Sequence, residues 1–151
     1  VVVATVYLLM ANVILVGIML VESKGLGLYG MPIGSTILGS LVLVMTFAWQ
    51  IPLWMFLGQK MGAFISILLS VWCNMIVACL FAVKSYWWIP FAIPARLMCP
   101  IVGILPNGLL VETSGKEFAN PNVILPGILI EIVLYVILTY VTAQEFKRRE
   151  V

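Results

Sequence analysis

The sequence predicts an all-α membrane protein, a polytopic bundle of apolar helices. Three observations carry that reading. Of the 151 residues, 64% are hydrophobic, and the mean hydropathy is +1.19. Only 9% are charged, whereas a soluble domain carries about 25%. Thirteen of the 14 charges lie outside four long apolar runs. So few charges cannot cover a surface facing water. Composition therefore excludes a soluble globular domain, a disordered chain and a nucleic-acid binder with a basic face.

The four runs are residues 1–21, 33–57, 61–83 and 123–143. Each reaches the roughly 20 residues that a helix needs to cross a bilayer. Helices are expected because each satisfies its own backbone hydrogen bonds in hydrocarbon. A β-barrel would alternate polar and apolar residues, and these runs do not. The chain reads as one transmembrane domain with four spans. Val1 opens inside an apolar run without Met or a basic flank, so an N-terminal part is expected to precede it.

Residues 22–32 are glycine-rich and end in Pro32, which reads as a turn region. Gly58-Gln59-Lys60 is short enough to force the second and third spans into an antiparallel hairpin. Pro52 is expected to kink the second span near its end.

Residues 84–122 differ from the rest. From Tyr86 to Val111 they are largely apolar, yet they hold Pro90, Pro94, Pro100, Pro106 and Arg96. A straight lipid-exposed crossing with four prolines and a central arginine is costly. A short broken helix dipping into one face of the bilayer and covered by protein fits better. Trp87 and Trp88 suit the headgroup layer. The tail 144–151 carries Lys147, Arg148 and Arg149, which places the C-terminus in the cytoplasm. With four spans, and Arg96 left aside, cations outside the runs split four inside to three outside. Five spans would split them five to two, which the charge rule alone prefers; the prolines and Arg96 favour four, and both counts stay open.

The chain has no His and no Asp. That removes His-based nucleophile activation, HExxH zinc sites and phospho-aspartate pumps. Ser114-Gly115-Lys116-Glu117 lacks the first glycine and the hydroxyl of a phosphate loop, so ATP chemistry would need another polypeptide. Cys73, Cys79 and Cys99 read as small apolar packing residues.

Glu131 is the only ionisable residue inside a run. A charge there costs at least about 2.5 kcal/mol on insertion scales. Two readings stay open: a polar lining or partner contact, or an acid that is simply buried or paired across helices. Arg96 is the charge available to pair with it. Asn12, Gln50 and Asn74 read as interhelical glue, and Ser35/Gly39, Ser66/Ser70 and Ala78/Ala82 as small-residue pairs permitting close helix contact.

The string from Trp88 to Gly108, WIPFAIPARLMCPIVGILPNG, resembles a signature of lantibiotic-immunity ABC transporter permeases of the mutacin/epidermin type. These belong to the ABC-2 membrane-protein family. The ending with Phe146 and its basic cluster is similar too. The resemblance implies six spans, the four runs being the third to sixth. It also implies a re-entrant proline-rich element outside the cell and a coupling element upstream of Val1. A member would be a non-enzymatic permease in the bacterial plasma membrane, expelling lantibiotic-type antimicrobial peptides. Its partners would be a second permease subunit, membrane lipid and an ABC ATPase subunit in two copies, which binds the ATP and Mg. The candidate gate or substrate-path residues are Arg96, Glu131, Trp87, Trp88, Pro94, Pro100 and Asn107. The alternatives are an ABC-2 permease for a drug or lipid-linked glycan, and an ATP-independent secondary transporter.

Overall fold

The computed structural model describes residues 1–25, 33–107 and 109–149. It is 83% helix, and among the described residues there is no strand. Three helical rods are long and apolar enough to cross a membrane: Ile33–Met61, Ala63–Ala82 and Pro121–Arg148.

The first rod joins α2 (Ile33–Phe47) to α3 (Gln50–Met61). It is interrupted at Ala48–Trp49, and Pro52 is the cause. A proline has no N–H for the carbonyl four residues back, and its ring crowds that carbonyl. The Ala48 carbonyl instead accepts from the Ile51 N–H at 3.1 Å. The kink expected at Pro52 therefore lies one turn upstream of it.

The second rod comprises α4 (Ala63–Trp72), a π-helical turn (Cys73–Val77) and α5 (Ala78–Ala82). Its hairpin with α3 does form, but Gly58, Gln59 and Lys60 remain helical. The reversal sits at Gly62, with φ +87° and ψ 155°, a conformation open to glycine and closed to almost every other residue. The third rod is α8 (Ile124–Arg149), preceded by a 3₁₀ turn at Pro121–Val123. The helix does not stop at residue 143; residues 144–149 of the expected tail extend it.

Helix α1 (Val2–Gly25) continues past the first apolar run. Its described apolar stretch, Val2–Ile18, is shorter than the three rods. Most of the glycine-rich turn region, residues 26–32, lies outside the described residues.

One apolar contact and two polar ones hold the rods in register. Val123 packs with Val42, the Thr142 hydroxyl donates to the Pro52 carbonyl at 3.2 Å, and Lys60 Nζ lies 3.8 Å from a Glu145 carboxylate oxygen. So α8 runs parallel to α2–α3, and the α3–α4 turn shares one end of the bundle with the end of α8. Gln50 and Asn74 exchange two amide hydrogen bonds, both 2.9 Å, across the antiparallel hairpin. The Ser40 hydroxyl donates to Asn12 Oδ1, tying α1 to α2. All three amides thus bridge helices, as expected.

Turns from Val83 to Ala92 lead into α6 (Ile93–Val102). The Phe91 ring lies 4.9 Å from that of Trp49, at the α2–α3 break. At its far end α6 brings Val102 against Gly39. The segment thus enters the bundle to mid-length and climbs back toward the start of α2. Pro94 fits the first helical turn, where its missing N–H is harmless, and Gly103 ends the helix at φ +78°. Ten residues give about 15 Å, half a bilayer core. Beyond it, Ile104 and Leu110 form an isolated antiparallel bridge, followed by α7 (Val111–Ser114) and a 3₁₀ turn at Lys116–Ala119.

Two glycines let α6 sink between the rods. A Cβ on Gly127 would stand 3.0 Å from Leu97 Cδ2 and 3.1 Å from Ile93 Cγ2; on Gly39 it would stand 3.0 Å from Val102 Cγ2. The core that results is Val42, Ile93, Leu97 and Val123. By contrast Phe64, Leu68, Leu125 and Val136 are exposed. An apolar exterior of this extent marks a lipid or protein-contact surface.

Candidate functional site

The residues singled out in the sequence converge around α6, with one exception. Arg96, on its second turn, is 7% exposed. Its guanidinium carbon lies 4.6 Å from the Phe118 ring centroid, a cation–π contact from the 3₁₀ turn that covers it. The Cys99 thiol, one turn along α6, lies beside it. Nε and Nη1 are buried without a hydrogen-bond partner. Such groups carry a desolvation penalty of about 1–3 kcal/mol, more when charged. Cys99, Leu105 and Val111, with Phe118 against them, form a small apolar cluster at this end.

Pro94 is buried in the first turn of α6 and Pro100 is half-buried within the helix. Trp87 packs partly buried against the core. Trp88 is exposed and makes an edge contact with Tyr86 at 6.4 Å. Asn107 is exposed in the turn after α6, where its side-chain oxygen accepts from the Leu109 N–H at 3.1 Å. That is a turn-stabilising role.

Glu131 is the exception. It is fully buried on α8, but the expected pairing with Arg96 is not made. Lys60 and Glu145 do form an ion pair, at 3.8 Å. Glu131 instead faces the Trp49 indole at the α2–α3 break, and neither its oxygens nor Trp49 Nε1 make a well-formed hydrogen bond. The two charges miss each other because Arg96 lies on α6 beneath Phe118, toward the loops, while Glu131 lies at the level where Phe91 meets Trp49. Residues Trp49 and Phe118 were invisible to sequence reading. An aromatic, in an apolar run like Trp49 or in a polar loop like Phe118, gives no sign of which charge it will face.

On another face of α6, that of Ala95, Met98 and Val102, the helices α1, α2 and α6 enclose a groove of about 340 Å³. Ala95, Met98 and Val102 line one wall, Gly39 and Leu43 another, and Leu15 a third. The only polar edge comes from the Asn12–Ser40 pair and Thr36. Apart from those three residues the lining is apolar, which suits a flexible apolar chain. Among the described residues no group of His, Cys, Asp or Glu is placed to hold a metal ion. No family model, curated protein or solved structure matches the chain.

Proposed function

We propose that the chain is the membrane-embedded permease part of an ABC transporter, expelling lantibiotic-type peptides with ATP bound by a separate subunit. One observation carries the reading. A proline-bounded helix too short to cross enters a bundle of apolar rods, buries an arginine and turns back. Irregular backbone at that depth is tolerated where protein or a wet cavity covers it, a setting suited to a gate. The resemblance over residues 88–108 supplies the cargo class. ATP binding by the partner would then shift the balance between conformations of the rods around α6.

In this reading α1 is a fourth crossing and residues 84–122 are external. The Lys60–Glu145 ion pair supports an even number of crossings between those two residues. Cysteines at Ser85 and Lys116, in a cysteine-free background, should both react with an impermeant thiol reagent in intact cells. Reaction of one alone would overturn the re-entrant layout. The cargo assignment is tested by deleting the gene in a lantibiotic producer. Growth inhibition by added peptide should rise at least tenfold and be restored by the complete permease–ATPase set. Unchanged sensitivity would remove the immunity role.

A further inference from the structure

We propose that Glu131 is a proton-binding site in the middle of the bundle, supplied from the Lys60–Glu145 end along a file of polar side chains on α8. The inference goes beyond the transport reading and does not depend on its cargo. It starts from polar atoms that the fold leaves unmatched. Glu131 is fully buried, and both of its carboxylate oxygens, the Trp49 Nε1 that faces them and the Thr139 Oγ1 make no well-formed hydrogen bond. A carboxylate taken out of water needs a cation to sustain it. The elements packed against α8 bring none to Glu131. Neither α2 nor the turn at Pro121–Val123 carries a charged or titratable residue. Lys60 of α3 lies on Glu145, at the end of the bundle. Arg96 and Cys99 of α6 sit beneath Phe118. On α8 itself the nearest titratable group is Tyr135, one turn on. Among the described residues no second carboxylate, thiol or imidazole is grouped with Glu131 to share a metal ion. A proton is the cation that needs no further ligand.

The second observation is where α8 places its polar side chains. Its stretch from Ile124 to Ala143 holds Glu131, Tyr135, Thr139, Tyr140 and Thr142. At 3.6 residues per turn, all but Tyr140 fall with Glu145 within an arc of about 120°. Three contacts turn that arc toward the α2–α3 rod. Glu131 faces Trp49, the Thr142 hydroxyl donates to the Pro52 carbonyl at 3.2 Å, and Glu145 lies on Lys60. Successive members are three or four residues apart, so their side chains are neighbours. A hydroxyl both donates and accepts, so Thr139 and Thr142 can pass a proton on where Leu or Val would block it. The file meets solvent at Lys60 and Glu145, whose side chains are both partly exposed. It ends at Glu131, beside the interruption at Ala48–Trp49. Release of the proton leaves a carboxylate whose nearest donor is the Trp49 indole, so proton binding acts on the break in the α2–α3 rod.

Infrared spectroscopy of the detergent-purified full chain reads the carboxylic acid directly. The native chain should show the C=O band of a buried protonated carboxyl. That band should be absent from Glu131→Gln and displaced in Glu131→Asp, which keeps the group should the amide fail to fold. On transfer to D2O the band should shift about tenfold or more faster than the slowest amide hydrogens exchange, because the file reaches Glu131 without unfolding the bundle. Thr139→Val, which keeps the shape but removes the hydroxyl, should slow the shift about tenfold and leave the band in place. Absence of the band at every pH, or a shift no faster than that of the slowest amides, would overturn the site. An unchanged rate in Thr139→Val would overturn the route along α8 and with it the proposal.

Discussion

Helix α6 and the α4–α5 rod invert the pattern of a water-soluble protein. The rod Ala63–Ala82 is the more hydrophobic, yet of its side chains only Ser66, Ala78 and Ala82 are buried. Helix α6 carries an arginine, a cysteine and two prolines, and half of its ten residues are buried. When the surroundings are apolar, hydrophobicity no longer drives a segment inward. Close packing, interhelical hydrogen bonds and the need to shelter irregular backbone do. The buried positions of the rod are accordingly small residues, and those of α6 include Pro94, Arg96 and Cys99 beside the core residues Ile93 and Leu97.

Substitutions can break that comparison or sharpen it. The largest effect is expected from Leu97→Ala. Leu97 is fully buried against Gly127 and the central core, so the change should cost about 2–5 kcal/mol in denaturant-induced unfolding in micelles. Leu68→Ala on the exposed face of α4 should change stability by less than about 0.5 kcal/mol. Equal losses would show that α6 is not the packing centre. Next is Gly62→Ala, which forces φ +87° on a residue with a Cβ and should cost about 1–3 kcal/mol. The same substitution at Gly17, where an added Cβ meets nothing within 4 Å among the described residues, should be harmless.

A double-mutant cycle on Gln50→Leu and Asn74→Leu should give a coupling of about 0.6–1.7 kcal/mol, the range for interhelical hydrogen bonds in membranes. A coupling near zero would make the amide pair incidental. The smallest effect is Lys60→Ala. Its partner is 3.8 Å away, and both side chains keep contact with solvent. The loss should be below about 1 kcal/mol and should shrink further in high salt.

The helical rods were legible in the sequence because they depend on local quantities. Twenty apolar residues without interruption must close their own hydrogen bonds, and Gly or charged residues punctuate them. The proline-rich segment was legible as a short broken helix for the same reason. Reading failed by one turn at Pro52, since a proline disrupts the carbonyl behind it. It failed at the hairpin because only backbone geometry distinguishes Gly58 from Gly62. The Arg96–Glu131 pairing failed because opposite charge says nothing about depth.

By itself, then, the sequence determined that the helices are long and apolar enough to suit a membrane and which stretches are helical, since both follow from composition and from backbone hydrogen bonding along the chain. Tertiary structure alone decided that α6 sinks between α2 and α8 at Gly39 and Gly127, that Phe118 covers Arg96, and that Glu131 faces Trp49. Those are contacts between residues tens of positions apart. They depend on which helix faces can approach closely, a property of shapes meeting in space that no local pattern encodes.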